Sequence, residues 1–186
     1  MNICCGCQGD RSINPQFEYP GSDIEGWMTP TELEWLYQTA RRVNSIVEVG
    51  SFLGRSTHAL LSGCSGKVIA VDDFSTICSV IGMNINKNEL IKTFANNLKG
   101  FPNLEVFVGD SLEAAKVLPD VDMVFLDGNH DYEPLCKELD VWLPKTKRVL
   151  CGHDYNEVYW PGVAQAVDEK FGDRVNVLDH IWFITL

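Results

Sequence analysis

Positive charge is scarce in this chain of 186 residues: 15 lysines and arginines stand against 26 aspartates and glutamates, a formal net charge of −11. A general nucleic-acid binder shows a basic face to phosphate, so this balance argues against nucleic acid as a partner. Long apolar runs are missing too. No stretch of about 18 apolar residues occurs, so no membrane-spanning helix is expected. Met1 to Asp10 carries neither the basic nor the apolar region of a secretory signal, which leads us to expect a cytoplasmic protein. Two phosphate-binding signatures are absent: no G-x-G-x-x-G follows a strand, and no G-x-x-x-x-G-K-[ST] occurs. There is no internal repeat and no low-complexity tract.

Cysteine, by contrast, is present seven times. Cys64, Cys78, Cys136 and Cys151 are scattered through apolar or helical patterns, as free thiols are. Cys4, Cys5 and Cys7 cluster, but adjacent cysteines followed by C-x-C lack the spacing of a zinc site. The odd count fits reduced thiols better than a disulfide framework. A chain of this length, 45% hydrophobic and 22% charged, buries enough apolar surface to fold without staples.

Residues 1–26 are polar and aperiodic and read as an irregular arm; residues 27–186 read as a single domain. Thr29-Pro30-Thr31-Glu32 has the form of a helix start, with Leu33, Leu36, Tyr37 and Ala40 on one face of the helix that follows. Five short apolar runs come next: Ser45–Ser51, Lys67–Asp73, Leu104–Asp110, Asp122–Asp127 and Arg148–Asp154. They are rich in β-branched residues and nearly continuous, which suits strands covered on both faces. Helical patterns separate them, at about Arg55–Ser62, Lys87–Leu98, Leu112–Val117 and Glu133–Leu143. Alternation of this kind predicts an α/β fold, a Rossmann-like doubly wound sheet with parallel strands. The end differs: after a helix near Val163–Phe171, the runs Arg174–Leu178 and Ile181–Leu186 flank Asp179-His180. They predict a β-hairpin that closes five parallel units, giving seven strands with one antiparallel.

Ligands of open parallel sheets bind beyond the carboxyl ends of the strands, where strand order reverses. At that edge the first strand delivers Glu48, Gly50, Ser51, Phe52, Gly54 and Ser56. The later strands deliver Asp72-Asp73, Asp110-Ser111, Asp127-Gly128-Asn129-His130 and His153-Asp154. Gly50 permits a sharp turn, and Gly54 permits a close helix start. An acid at position 48 would repel pyrophosphate but accept hydrogen bonds from an ammonium group or ribose hydroxyls, which points to a cationic, phosphate-free ligand. Asp72 suits a ribose. Asp110-Ser111 either meets an adenine edge or caps the next helix.

E-x-G-x-x-x-G-x-S, as Glu48, Gly50, Gly54 and Ser56, resembles motif I of the class I S-adenosylmethionine-dependent methyltransferases. Phe52 replaces the middle glycine, as in the catechol-type O-methyltransferases. D-M-V-F-L-D-G-N-H-D-Y over Asp122–Tyr132 and Cys151-Gly152-His153-Asp154-Tyr155 are similar to segments of the small methyltransferases grouped as family 24. The likeness runs from about Gly26 to Leu186. It implies S-adenosylmethionine as cofactor, held by Glu48, Gly50, Ser51, Phe52, Gly54, Ser56, Asp72, Asp110, Ser111 and Asp127. It also implies O-methylation of a small-molecule or sugar acceptor; Asp127 by this likeness and His130 by its own chemistry are the catalytic candidates. In the related metal-dependent enzymes a divalent ion such as Mg²⁺ or Mn²⁺ binds at positions matching Asp127, His153 and Asp154. A histidine at 153 would favour a transition metal or stand behind the ligands. His130 would remove the hydroxyl proton directly or brace the loop against Tyr132 or Asp154.

The remaining features have plainer readings. The five tryptophans, Trp27, Trp35, Trp142, Trp160 and Trp182, read as core or lid contacts, with Trp27 and Trp160 near the site. His58 reads as packed or capping, and Phe74–Asn86 as a cover for the substrate. Two rival functions are a nicotinamide-dependent oxidoreductase, disfavoured by the glycine spacing and the terminal hairpin, and a non-catalytic cofactor-binding partner protein.

Overall fold

The computed structural model describes residues 19–75 and 86–186. Cys4, Cys5, Cys7, Cys78 and most of the expected cover over Phe74–Asn86 lie outside the described residues. In the first helix, α1 (Pro30–Ala40), the Thr29 hydroxyl accepts the Glu32 N–H at 3.3 Å and the Glu32 carboxylate accepts the Thr29 N–H at 2.7 Å. This reciprocal cap satisfies two orphan donors and fixes where the helix starts. Leu33, Leu36 and Ala40 are buried along the face that the spacing predicts.

The chain then alternates: β1 (Ser45–Val49), α2 (Arg55–Gly63), β2 (Lys67–Asp72), α3 (Lys87–Asn97), β3 (Leu104–Val108), α4 (Ser111–Val117), β4 (Val121–Leu126), α5 (Tyr132–Trp142), β5 (Thr146–Gly152), α6 (Pro161–Phe171), β6 (Asn176–Leu178) and β7 (Ile181–Thr185). The seven strands form one sheet in the order β3-β2-β1-β4-β5-β7-β6. β1 to β5 pair in parallel, and β7 runs antiparallel to both β5 and β6, so one strand is reversed, as the hairpin predicts. Strand order reverses between β1 and β4, which fixes the position of the cleft.

Alternate strand residues feed two cores. Ile46, Val68, Met123 and Phe125 pack under α1, α2 and α3. Val47, Val71, Val124 and Leu150 pack under α4, α5 and α6. β3 departs from the expectation of strands covered on both faces, for Val106 and Val108 are exposed. Its position at the sheet edge explains this: an edge strand has one neighbour and less helix above it. The described part of the arm, from Tyr19, has turns but no helix or strand. It is nevertheless held down. The Arg55 guanidinium on α2 donates to the carbonyls of Ser22 (3.1 Å), Ile24 and Met28 (2.9 Å). Among the described residues no helix is long and apolar enough to cross a membrane.

Glu32 does more than cap α1. It has no exposed surface, its Oε1 accepts the His180 N–H in the β6–β7 turn at 3.0 Å, and it faces Nε2 of His153, after β5, at 3.2 Å. Burial alone would raise its pKa, but His153 and the Thr29 and His180 N–H groups hold it at about 2 against an ordinary 4.5. A depressed carboxylate contributes stability that is present above the unfolded value and lost as pH falls through the folded one. A shift of this size corresponds to about 3 kcal/mol. Glu32→Gln is therefore expected to lower unfolding stability by about 3 kcal/mol at pH 6 in metal-free buffer. The gap to wild type should narrow as pH falls from 4.5 toward 2, measured by urea denaturation; an equal gap at pH 6 and pH 3 would refute this account.

Candidate active site

A cleft of about 700 Å³ opens at the carboxyl ends of β1 to β5, lined by Ser51, Asp72, Asp110, Asp127, His130 and Asp154 among others. The loop after β1 presses against the loop after β4. At Gly50 (φ +84°) a Cβ would lie 2.6 Å from the Gly128 Cα and closer still to the Asp127 carbonyl, so a side chain there would force the two loops apart.

Two acids hold the β1–α2 loop from behind. Glu48 is fully buried and does not line the cleft; its Oε2 accepts the hydroxyls of Ser51 at 2.9 Å and of Thr57. Burial raises its pKa to about 7, against the hydroxyls of Ser56, Thr57 and Ser51, which lower it. Asp72, at the end of β2, accepts the N–H groups of Ser51 (2.7 Å) and Phe52 (2.9 Å) on one oxygen and that of Phe74 (2.7 Å) on the other. Much of the capacity expected to meet a ribose thus shapes the loop, although Asp72 and its exposed neighbour Asp73 both line the cleft. Phe52 and Ser56 also line it. Gly54 does not: it caps α2 at φ +92°, facing Leu98 and Phe94 of α3.

At the far end Asp110 caps α4, one carboxylate oxygen accepting the Leu112 and Glu113 N–H groups at 2.9 and 3.0 Å, and it also lines the cleft. Ser111 accepts the Trp142 Nε1–H bond at 2.9 Å. Glu138 on α5, which the sequence did not single out, also lines this end. Burial raises its pKa to about 7, offset in part by the Ser111 hydroxyl.

Near the ends of β4 and β5 two imidazoles lie among three carboxylates. His130 Nε2 is 2.7 Å from Asp154 and 3.8 Å from Asp127, and its ring stacks on Trp160 with centroids 4.5 Å apart. Burial alone would lower its pKa, but Asp127 and Asp154 outweigh burial and lift it to about 9. His153 turns Nε2 to Glu32 and Nδ1 to Asp154 (3.4 Å) and Asp127 (3.7 Å). Burial opposes its charge too, yet Asp127, Asp154 and Glu32 raise its pKa to about 11. Asp154 sits at φ +59° and, despite burial, is held below the ordinary carboxylate range by His130 and His153. Burial keeps Asp127 above that range.

Of the residues expected at the site, the structure gathers Gly50, Ser51, Phe52, Ser56, Asp72, Asp110, Ser111, Asp127, His130, His153 and Asp154 around this one cleft and sets Glu48 and Gly54 behind it. Trp27 lines the rim and lies 5.4 Å from the Phe52 ring, while His58 packs edge-on against Phe101. Two residues escaped the sequence reading. Glu32 shows there only as a capping-box acid, and Glu138 only as one acid of an amphipathic helix.

No curated protein matches the chain. Solved structures do. An O-methyltransferase from Bacillus cereus in complex with SAH is 15% identical, with a TM-score of 0.62 over 86% of this chain and 83% of that one. The SAH-bound methyltransferase PaMTH1 of Podospora anserina is 16% identical, with a TM-score of 0.59 over 84% and 78%. CalS11, a TDP-rhamnose 3'-O-methyltransferase of calicheamicin biosynthesis, is 15% identical, with a TM-score of 0.59 over 82% and 76%. At these identities the likeness shows the fold. A family described as a methyltransferase domain (Methyltransf_24) matches residues 47–155, more than half of the chain, from within β1 to just past β5. That match sets aside the nicotinamide reading: the chain belongs to this methyltransferase family and is an S-adenosylmethionine-dependent enzyme on a Rossmann-like sheet.

Proposed function

We propose that this enzyme methylates a hydroxyl oxygen of a small, phosphate-free acceptor, a sugar or another ring compound, with His130 as the base. One observation carries the reading: His130 lines the cleft, is seated on Trp160, and is backed by the carboxylates of Asp154 and Asp127. When bound, S-adenosylmethionine supplies a sulfonium methyl group that an oxygen nucleophile takes, leaving S-adenosylhomocysteine. The cleft suits that cofactor. Its glycine loop admits close approach at Gly50, and its many carboxylates favour a cation. His130 takes the hydroxyl proton as the O–C bond forms, and Asp154 and Asp127 stabilise the imidazolium that results.

The donors near His130 also suit a divalent ion. Asp127, His153 and Asp154 each offer an atom within 4.8 Å of the others. With Glu32 behind Nε2, a neutral His153 would keep that proton and turn the Nδ1 lone pair to the two carboxylates, the arrangement that orients histidine ligands. An ion such as Mg²⁺ or Mn²⁺ held there would draw in the acceptor hydroxyl and lower its pKa.

Charge narrows the acceptor further. Arg55 is the one lysine or arginine among the described lining residues, and its guanidinium is engaged by the carbonyls of Ser22, Ile24 and Met28. A TDP-linked sugar, the acceptor in the name of CalS11, would bring pyrophosphate to an acidic wall with no unengaged lysine or arginine among the described residues.

Two outcomes test this. In metal-free buffer kcat/KM should rise about tenfold per pH unit to near 9 and then level, because His130 must be neutral to accept a proton. His130→Gln should lower kcat by about a hundredfold or more with SAH affinity kept. A flat profile from pH 7 to 9, or complete loss of activity with EDTA, would transfer the proton's removal from His130 to a metal-bound hydroxyl. Second, dopamine should be turned over about tenfold more efficiently than 3,4-dihydroxybenzoate, the same ring carrying the opposite charge, and the difference should shrink in high salt. Equal rates would refute charge selection.

A further inference from the structure

We infer that Glu138 reads the adenine of the cofactor, its free carboxylate oxygen accepting a hydrogen bond from the exocyclic amino group. The inference rests on the S-adenosylmethionine reading of the cleft. Glu138 is 7% exposed, yet it lines the cleft where the start of α4 meets α5. Its Oε2 is buried without a hydrogen-bond partner among the described residues. A buried carboxylate oxygen left without a donor is costly, and such groups are seldom left so unless a ligand or water completes them.

The neighbours decide what can complete it. Asp110 has turned its carboxylate to the Leu112 and Glu113 N–H groups. Ser111 accepts from Trp142 Nε1, so its own proton is free to go to Glu138, where it offsets part of the effect of burial. Both N–H groups fall on one Asp110 oxygen and the other lies at an exposed residue, where water can serve it, so Glu138 is the buried acceptor at this end of the cleft.

The cofactor has three kinds of donor: the ammonium group, the ribose hydroxyls and the adenine amino group. Its methyl group must lie by His130, in the loop after β4. Asp72 at the end of β2 and Asp73 just after it line the stretch of cleft between the ends of β3 and β4, the place expected for the ribose. The pocket between the start of α4 and α5 is what remains for the purine. Val49 and Val71 of the second core line the same cleft, and an apolar wall suits a flat heterocycle better than a strongly hydrated ammonium.

S-inosylhomocysteine makes the test direct, because it carries a carbonyl where S-adenosylhomocysteine carries the amino group. At pH 8 calorimetric titration should show the wild-type protein preferring S-adenosylhomocysteine by about a hundredfold, since the carbonyl would set two acceptors face to face. Glu138→Gln should bind S-adenosylhomocysteine about tenfold more weakly and narrow the preference to about threefold, as an amide can turn its NH₂ to the carbonyl. The comparison on the wild-type protein needs no variant: equal affinity for the two compounds overturns the inference, and so does a Glu138→Gln protein that keeps the full preference. If wild-type protein binds neither compound, it is the cofactor reading that has failed.

Discussion

A carboxylate with no exposed surface must be met by donors and positive charge, and the placement of Glu32 follows from that requirement. It gathers the Thr29 N–H, the His180 N–H and the face of His153, so the first helix, the terminal hairpin and the end of β5 converge on one buried charge. His153 meets Asp154 and Asp127 with its other nitrogen, and these two set His130 against Trp160. Each group in this series is the counter-charge of the next. The setting of the His130 imidazole thus depends on a helix whose sequence reads only as a well-capped start.

The acids around the cleft divide by what their oxygens already hold. Asp72 and Asp110 accept backbone N–H groups, and Glu48 accepts hydroxyls beneath the loop, so these three shape the walls. Asp127, Asp154 and Glu138 face inward with acceptor capacity that the backbone does not use. Sequence position alone treats all of them as acids at strand ends or on a helix. The distinction appears only with the hydrogen bonds, and it is the one that separates scaffold from chemistry.

Much of the fold was legible because periodicity and strand ends are local signals. The β-branched runs, the helices between them and the reversed last strand all follow from short-range pattern. The glycine loop and the aspartates of β2 to β5 pointed to the edge of the sheet where the cleft opens, since in parallel sheets that edge is fixed by topology. The rest depended on contacts between distant segments. Glu32 meets His153 only because α1 lies over the end of β5, and no local pattern announces it. The exposure of Val106 and Val108 follows from β3 being an edge strand, which strand order decides and composition does not. Gly54 was read as making room for a ligand, but the room it makes is for α3.

The same charge arithmetic explains why a proton-transfer site and a metal site can occupy one set of residues. Glu32, Asp127 and Asp154 carry three negative charges when ionised, and protonated His130 and His153 return two. Removing both imidazolium protons and adding one divalent ion leaves that sum unchanged. The cluster therefore carries the same single net negative charge in either form, and protons and ion compete for it, with lower pH favouring the protons. His130 has the greater freedom of the two imidazoles. It lies at the cleft, where Trp160 can support either ring state, whereas His153 is clamped between Glu32 and the two aspartates. A group that must gain and lose a proton in every turnover belongs at the looser end of such a series, and a group that fixes geometry belongs at the tighter one.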